Sequence, residues 1–170
     1  MKVVLVALAV AIAAAAVFAG LYFTKTPTTK TVVVRTAPCG EQRLFGRIRS
    51  LVRKGDRYEL RFDPAVFTSG VTANTAAAED GVIAPGEAMP NDNYVVDESH
   101  RTFLYLVPPS TPVRVLTPKS YFNGTPITVA QLAQLVAGKT PVKLFERLDT
   151  GFWMRVHVDT ACDLQQQYHP

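Results

Sequence analysis

The side chains best suited to recognise a ligand lie near the carboxyl end, where Trp153, Arg155, His157 and Asp159 alternate with Phe152, Met154, Val156 and Val158. Period-two alternation puts the two sets on opposite faces of a strand. An indole on the polar face either packs under another element with its N–H bonded or stands out as a platform for sugars and peptides. Arg155 beside it could hold a carboxylate or phosphate, and His157 shares the face with Arg155 and Asp159, which could hold it charged. A solvated strand face produces the same pattern. The second candidate is the basic run from Arg43 to Arg61, where Arg47, Arg49, Arg53, Lys54 and Arg57 meet only Asp56 and Glu59. Arg47 and Arg49 lie on its basic face, which suits anionic phospholipid heads or anionic wall polymers. Charged outer faces that keep a hairpin soluble give the same composition.

From Phe62 to His100 the balance reverses: Lys and Arg vanish, and Asp63, Glu79, Asp80, Glu87, Asp92, Asp97 and Glu98 appear. Carboxylates such as Asp63, Asp80 or Asp92 would serve an extracellular hydrolase if a cleft joined them. Asp80, Asp92 and Asp97 could offer oxygens to calcium, the one cofactor the sequence raises, but the spacing is not that of a calcium loop, and charges that solvate a helix end look the same. Other chemistry fits poorly. No GxSxG elbow is present, and His100, His157 and His169 have no partner spacing that singles one out. Gly138-Lys139-Thr140 lacks the first glycine of a phosphate loop, with Ala133 in its place, and follows a helix instead of opening one. Asn123-Gly124-Thr125 fits a glycosylation acceptor and marks an exposed turn. Nucleic acid is not an expected partner, because the basic face has no interleaved aromatics.

Cys39 and Cys162, the only cysteines, sit near the two ends of the folded region, where entering and leaving strands often lie close. A bridge between them would close a loop of more than 120 residues and stabilise the domain by about 4 to 5 kcal/mol in the chain-entropy account. Such a bridge persists outside the cytoplasm. Two free buried thiols are the alternative. Metal binding through them is set aside, since neither has CxxC or His spacing around it.

These residues need elements to position them. The chain has 170 residues, 18 Lys+Arg against 14 Asp+Glu, 12 Pro and 10 Gly, which excludes disordered, collagen-like and disulfide-dense classes. Val3 to Phe23 carries no charge or proline and is long enough to span a bilayer, either as an uncleaved anchor or as a signal peptide. Flanking charge would place the domain inside, because Lys25, Lys30 and Arg35 outnumber Lys2; the cysteines place it outside. Residues 24–38 read as an extended Thr/Pro/Lys tether, with Val32-Val33-Val34 as an optional first strand. Residues 39–170 form one extracytoplasmic domain.

Within that domain, Gly46 to Arg53 and Tyr58 to Phe62 form a hairpin around Lys54-Gly55-Asp56, with Ile48, Leu60 and Phe62 facing in. Ser69 to Gly81 reads as a short helix, and strands follow at Tyr94 to Val96, Thr102 to Val107 and Val113 to Leu116. Thr128 with Gln131 forms a capping box for a helix over 128–137, which Gly138 ends. The pattern predicts an α+β domain, a small mainly antiparallel β-barrel or curled sheet with one or two short helices. Its predicted core is Ile48, Leu60, Phe62, Leu104, Leu106, Leu132, Leu135, Met154 and Val156.

Phe62-Asp63-Pro64-Ala65, Ser69-Gly70-Val71-Thr72-Ala73 running to Glu79-Asp80-Gly81, Pro90-Asn91-Asp92 and Gln166-Gln167-Tyr168-His169-Pro170 together resemble a group of uncharacterised exported bacterial proteins, each a signal or anchor followed by one small domain. The likeness covers roughly Leu44 to Pro170. It implies an extracytoplasmic, membrane-anchored or secreted location and transfers no catalytic residue. The expected function is therefore a noncatalytic binding or interaction module of the cell envelope, with an anionic surface polymer or another envelope protein as partner. An extracellular hydrolase is the alternative.

Overall fold

A computed structural model describes residues 39, 40, 42–97 and 101–169, so the apolar segment 3–23 and the tether 24–38 lie outside the described residues. The elements in chain order are β1 (Gln42–Lys54), β2 (Arg57–Ser69), α1 (Gly70–Glu79), β3 (Asn93–Val96), β4 (Phe103–Val107), β5 (Val113–Thr117), β6 (Ser120–Ile127), α2 (Val129–Val136), a 3-10 turn (Leu148–Thr150), β7 (Phe152–His157) and β8 (Thr160–Gln166). β1 pairs with β2 and β7, β2 with β4, and β7 with β8, all antiparallel. The ring closes where β4 meets β8 in parallel, Leu106 opposite Thr160, reinforced by the Leu106 N–H donating to the Asp159 carbonyl at 2.8 Å. The result is a mixed five-stranded barrel of the expected α+β class. β3 extends β2, and the β5–β6 hairpin joins β8 through β5. With α2 between β4 and β7, the circular order matches an OB-type Greek-key barrel, a scaffold that hosts many unrelated functions.

Helix α2 forms as its sequence dictates. Thr128 accepts from the Gln131 N–H while the Gln131 side chain accepts from the Thr128 N–H, so both ends of the capping box are made. Val129, Leu132 and Leu135 recur at helical spacing and are buried in one core with Leu60, Phe62, Val107, Val113, Phe152, Met154, Val156 and Leu164. Burial of each large side chain is worth about 1.5 to 3 kcal/mol. Gly138 ends the helix at φ 79°, a left-handed turn that suits glycine.

Two strands depart from simple alternation. In β1 the register runs Ile48 opposite Phe62, then Ser50 opposite Arg61, so Arg49 is an extra, unpaired residue. A one-residue bulge reverses every later side chain. Leu51, expected on the basic face, is therefore buried, and Val52, expected inside, is 51% exposed. In β4 the parity is also opposite to expectation. Tyr58, Leu60 and Phe62 point inward and lie across from Val107, Tyr105 and Phe103; Val107 is buried and Tyr105 packs on the core. Leu104, expected in the core, is 49% exposed, as is Phe103 at the strand's start, and Leu106 is half-buried. Val158 leaves its expected inward face because the chain turns there with φ 58°, and it is 82% exposed.

The bulge makes a direct prediction for chemical denaturation. Leu51→Ala should cost about 2 to 5 kcal/mol through the cavity it leaves, whereas Val52→Ala should stay within about 0.5 kcal/mol. Comparable losses at both positions would place the register shift elsewhere.

Candidate functional site

An open cleft of about 750 Å³ lies between β1, the end of α2 and the segment that follows it. Its floor is apolar, made by Ile48, Leu135, Val136, Leu144 and Leu148. Its rim carries Arg47, Arg49, Lys139, Lys143 and Arg147 against Asp149 as the only acid. Arg47, Arg49 and Arg147 each face a carboxylate, so the excess positive charge comes from Lys139 and Lys143, and a concave wall with such an excess draws a counter-ion.

Arg47, Ile48 and Arg49 all line the cleft, with Arg49 the unpaired residue of the β1 bulge. Arg49 donates to one oxygen of Asp63 through Nε at 2.8 Å and Nη2 at 2.5 Å, and Asp63 is 2% exposed. A buried carboxylate requires such a partner, since an isolated buried charge costs several kcal/mol. Arg47 makes an ion pair with Asp97 just past β3 and donates to the Asp149 carbonyl at 3.3 Å. The second oxygens of Asp63 and Asp97 are buried without a hydrogen-bond partner among the described residues. The side chains of Lys139 and Lys143 enter no hydrogen bond or ion pair among the described residues, which leaves two ammonium groups for a ligand.

The outer wall of the cleft is an irregular segment that ends in the 3-10 turn, and among the described residues Gln166 makes the most side-chain hydrogen bonds to it. Gln166 is 2% exposed; its Nε2 donates to the Arg147 carbonyl at 2.9 Å, the Glu146 carbonyl at 3.3 Å and Thr150 Oγ1 at 3.3 Å. Its Oε1 accepts from the Leu116 N–H at 2.9 Å. One buried amide thereby ties segment 146–150 to β5 and β8. The Phe145 N–H adds a bond to the Leu116 carbonyl at 2.8 Å.

The Trp153 face is built differently. Trp153 is half-buried, packs against Phe45 and Phe67 with ring centroids 5.1 and 5.7 Å away, and donates its N–H to Gln167 Oε1 at 2.6 Å. The Arg43 guanidinium sits 4.4 Å from its ring centre, a cation–π contact that covers one face. Arg155 stands beside it, bonded to Asp163 at 3.0 Å, and this contact raises the guanidinium pKa. Arg43, Trp153, Arg155, Asp163 and Gln165 line a shallow pocket of about 290 Å³; exposed His157 is not among them. The structure thus joins Trp153 to Arg155 and separates both from Arg47 and Arg49.

The acidic residues do not gather. Asp80 accepts from the Tyr94 hydroxyl at 2.8 Å, which raises the tyrosine pKa, Asp92 occupies a turn at φ 53°, Asp97 is taken by Arg47, and Asp63 is enclosed under Arg49. Among the described residues no three His, Cys, Asp or Glu side chains are grouped to hold a metal ion. Asp63, Asp80 and Asp92 line none of the three clefts of about 750, 500 and 290 Å³.

Cys39 and Cys162 meet, as expected, but the bridge is not made: both are free thiols, and their side chains hydrogen-bond. Gly40 brings the chain so close to β7 that a Cβ there would lie 2.3 Å from the Val156 carbonyl oxygen. On the other side, the β7–β8 register passes from Arg155–Asp163 to Val156–Ala161, so Cys162 is the extra residue of a second bulge. Desolvation, then the Cys162 hydrogen bond and charge, push the Cys39 thiol from 9.0 up to about 11, against a smaller lowering by Arg155. At neutral pH Cys39 is a protonated, unreactive thiol.

Sequence reading missed Lys139, Lys143 and Arg147. Their spacing of four residues after a helix stop was the available signal, but the end of α2 places Lys139 and the Gln166 clamp holds the segment that carries Arg147. No protein-family model matches the chain, and neither a curated protein nor a solved structure matches it.

The thiol pair makes a pH prediction. A thiol whose pKa is higher in the folded than in the unfolded chain binds its proton more tightly when folded, so its stabilising contribution is complete below pH 9.0 and is lost as pH rises towards about 11. In reduced protein, iodoacetamide should modify Cys39 with a half-maximal rate near pH 11, and Cys39→Ser should remove the alkaline loss of stability. A half-maximal rate at the ordinary 9.0 would contradict the hydrogen-bonded thiol pair.

Proposed function

We propose that this chain is a noncatalytic binding module of the cell envelope whose basic cleft takes an anionic, phosphate-bearing ligand. The observation that carries this reading is the coexistence of five cationic side chains and an apolar floor in one open cleft. Three of the cations are already oriented by carboxylates, Arg47 by Asp97, Arg49 by Asp63 and Arg147 by Asp149. Lys139 and Lys143 have no such partner. Fixed guanidinium groups beside free ammonium groups supply oriented donors and attractive charge together. The alternative of a carboxylate hydrolase has less support, because the candidate acids lie apart.

The location follows from the sequence. The apolar run Val3 to Phe23 directs the chain to a membrane, and Cys39 facing Cys162 is a pair that would oxidise to a disulfide in an exterior compartment. Material recovered from the envelope without reductant should then titrate no free thiol. Two free thiols would overturn the exterior location.

The ligand reading is tested by titrating residues 37–170, within which the barrel closes entirely, with a poly(glycerol phosphate) chain and with neutral dextran. Binding of the phosphate polymer alone, weakened by salt, is expected. Lys139→Glu with Lys143→Glu should lower that affinity about tenfold or more, on the order of 0.7 kcal/mol for each reversed charge. Equal affinity in the double variant would overturn the cleft as the site.

A further inference from the structure

On the outer side of the same wall, Tyr121, Phe122, Phe145 and Tyr168 form one aromatic cluster. Ring centroids lie 4.3 Å apart for Tyr121–Phe122, 5.4 Å for Tyr121–Phe145 and 5.3 Å for Phe122–Tyr168. A soluble domain would bury such rings, yet Tyr121 is 40%, Phe145 48% and Phe122 64% exposed. The backbone puts them there deliberately. Between the pairs Thr117–Ser120 and Val115–Thr125, residues 121–124 of β6 stand opposite the single residue Leu116, which throws Tyr121 and Phe122 outward. Phe145 comes from the segment that Gln166 clamps, where Lys143, Phe145 and Arg147 are exposed and Val142, Leu144 and Glu146 are half-buried. Contiguous exposed apolar surface of this kind marks an interaction site.

We propose that this aromatic cluster docks the domain on an anionic bilayer, its rings entering the interfacial layer while Lys119 and Lys143 meet lipid phosphates. The proposal rests on the reading of the cleft as an anion site and names the anion as a lipid headgroup. Three observations select a bilayer as the occupant. The ring planes are tilted by 31° to 67° to one another, so they do not offer the coplanar face on which a sugar chain stacks. Exposed Lys119 precedes Tyr121 by two residues, and exposed Lys143 shares the outward side of its segment with Phe145; aromatic rings flanked by snorkelling cations suit the interface between headgroups and acyl chains. The tether 24–38 would span at most about 50 Å if fully extended, and it follows the apolar segment 3–23, so an uncleaved anchor would keep a bilayer near the domain.

The test uses the full chain in nanodiscs, with Phe122→Trp as the reporter and lipids brominated on the acyl chains as the quencher. In discs containing phosphatidylglycerol, the emission of the variant, after subtraction of the wild-type signal from Trp153, should shift to the blue and fall about twofold with brominated lipid. In pure phosphatidylcholine it should not change. Val71→Trp, placed on α1 where Val71 is 81% exposed, should stay unquenched in both. Quenching at both reporters, or equal quenching in neutral discs, would overturn an oriented anionic dock. An unquenched Phe122→Trp in a protein that still binds poly(glycerol phosphate) overturns the docking surface and leaves the cleft standing; loss of both overturns both.

Discussion

A single buried amide organises the functional side of this molecule. Segment 139–147 follows α2 without regular backbone pairing of its own, so its polar groups need partners from elsewhere. Gln166 supplies them at the end of β8, donating to the Arg147 carbonyl and accepting from the Leu116 N–H. A glutamine amide has two donors and an acceptor with two lone pairs, and at 2% exposure any group left unpaired would cost about 1 to 3 kcal/mol. The cost of breaking this clamp is what keeps an irregular loop in one place. That loop carries Lys143 and Arg147 to the cleft and Phe145 to the aromatic cluster, so both proposed surfaces depend on it.

The opposite wall depends on the bulge at Arg49. An unbulged β1 would continue its alternation, bury Val52 and expose Leu51. The extra residue instead lets the strand curl around the barrel, sends Leu51 into the core and leaves Arg49 free to fold back over Asp63. The Arg49–Asp63 pair is half exposed on the arginine side, 48% against 2%, so solvent screens it and its contribution is smaller than a fully buried pair would make. Its role is orientation: a guanidinium fixed by its carboxylate cannot swing out of the cleft. Arg47, joined to Asp97 and to the Asp149 carbonyl, links β1 both to the end of β3 and to the loop.

Much of the barrel was legible in the sequence because local signals and tertiary packing agree there. The Thr128 capping box, the Leu132 and Leu135 face, the Gly138 stop and the alternation of Phe152, Met154 and Val156 each report a local rule that the fold obeys. In β1 the failure came where one residue changes parity; in β4, which pairs with β2 without a shift, the inward face was assigned to the wrong alternate residues. Nothing in the residue types announces that Arg49 or Cys162 is unpaired, yet each shifts the register beyond it. Asn123-Gly124-Thr125 marks an exposed turn in the sequence but lies within β6; a strand of the β5–β6 hairpin that joins the barrel through β5 tolerates Gly124 and Pro126. The basic residues were visible as a run, but their partition into Arg43 over Trp153 and Arg47 with Arg49 in the cleft is a product of closure, as is the arrival of Lys139, Lys143 and Arg147 from far along the chain.

Native-state hydrogen exchange on Gln166→Met tests the organising role of the clamp most directly, since methionine keeps the volume and removes the hydrogen bonds. If the amide holds the loop, exchange at the Phe145 and Leu116 N–H groups should accelerate by about tenfold or more, for a loss of roughly 1.4 kcal/mol in local opening free energy. The β1–β2 and β1–β7 amides should keep their protection. Unchanged exchange at Phe145 would contradict the account, because the wall of the cleft would then be held by something other than Gln166.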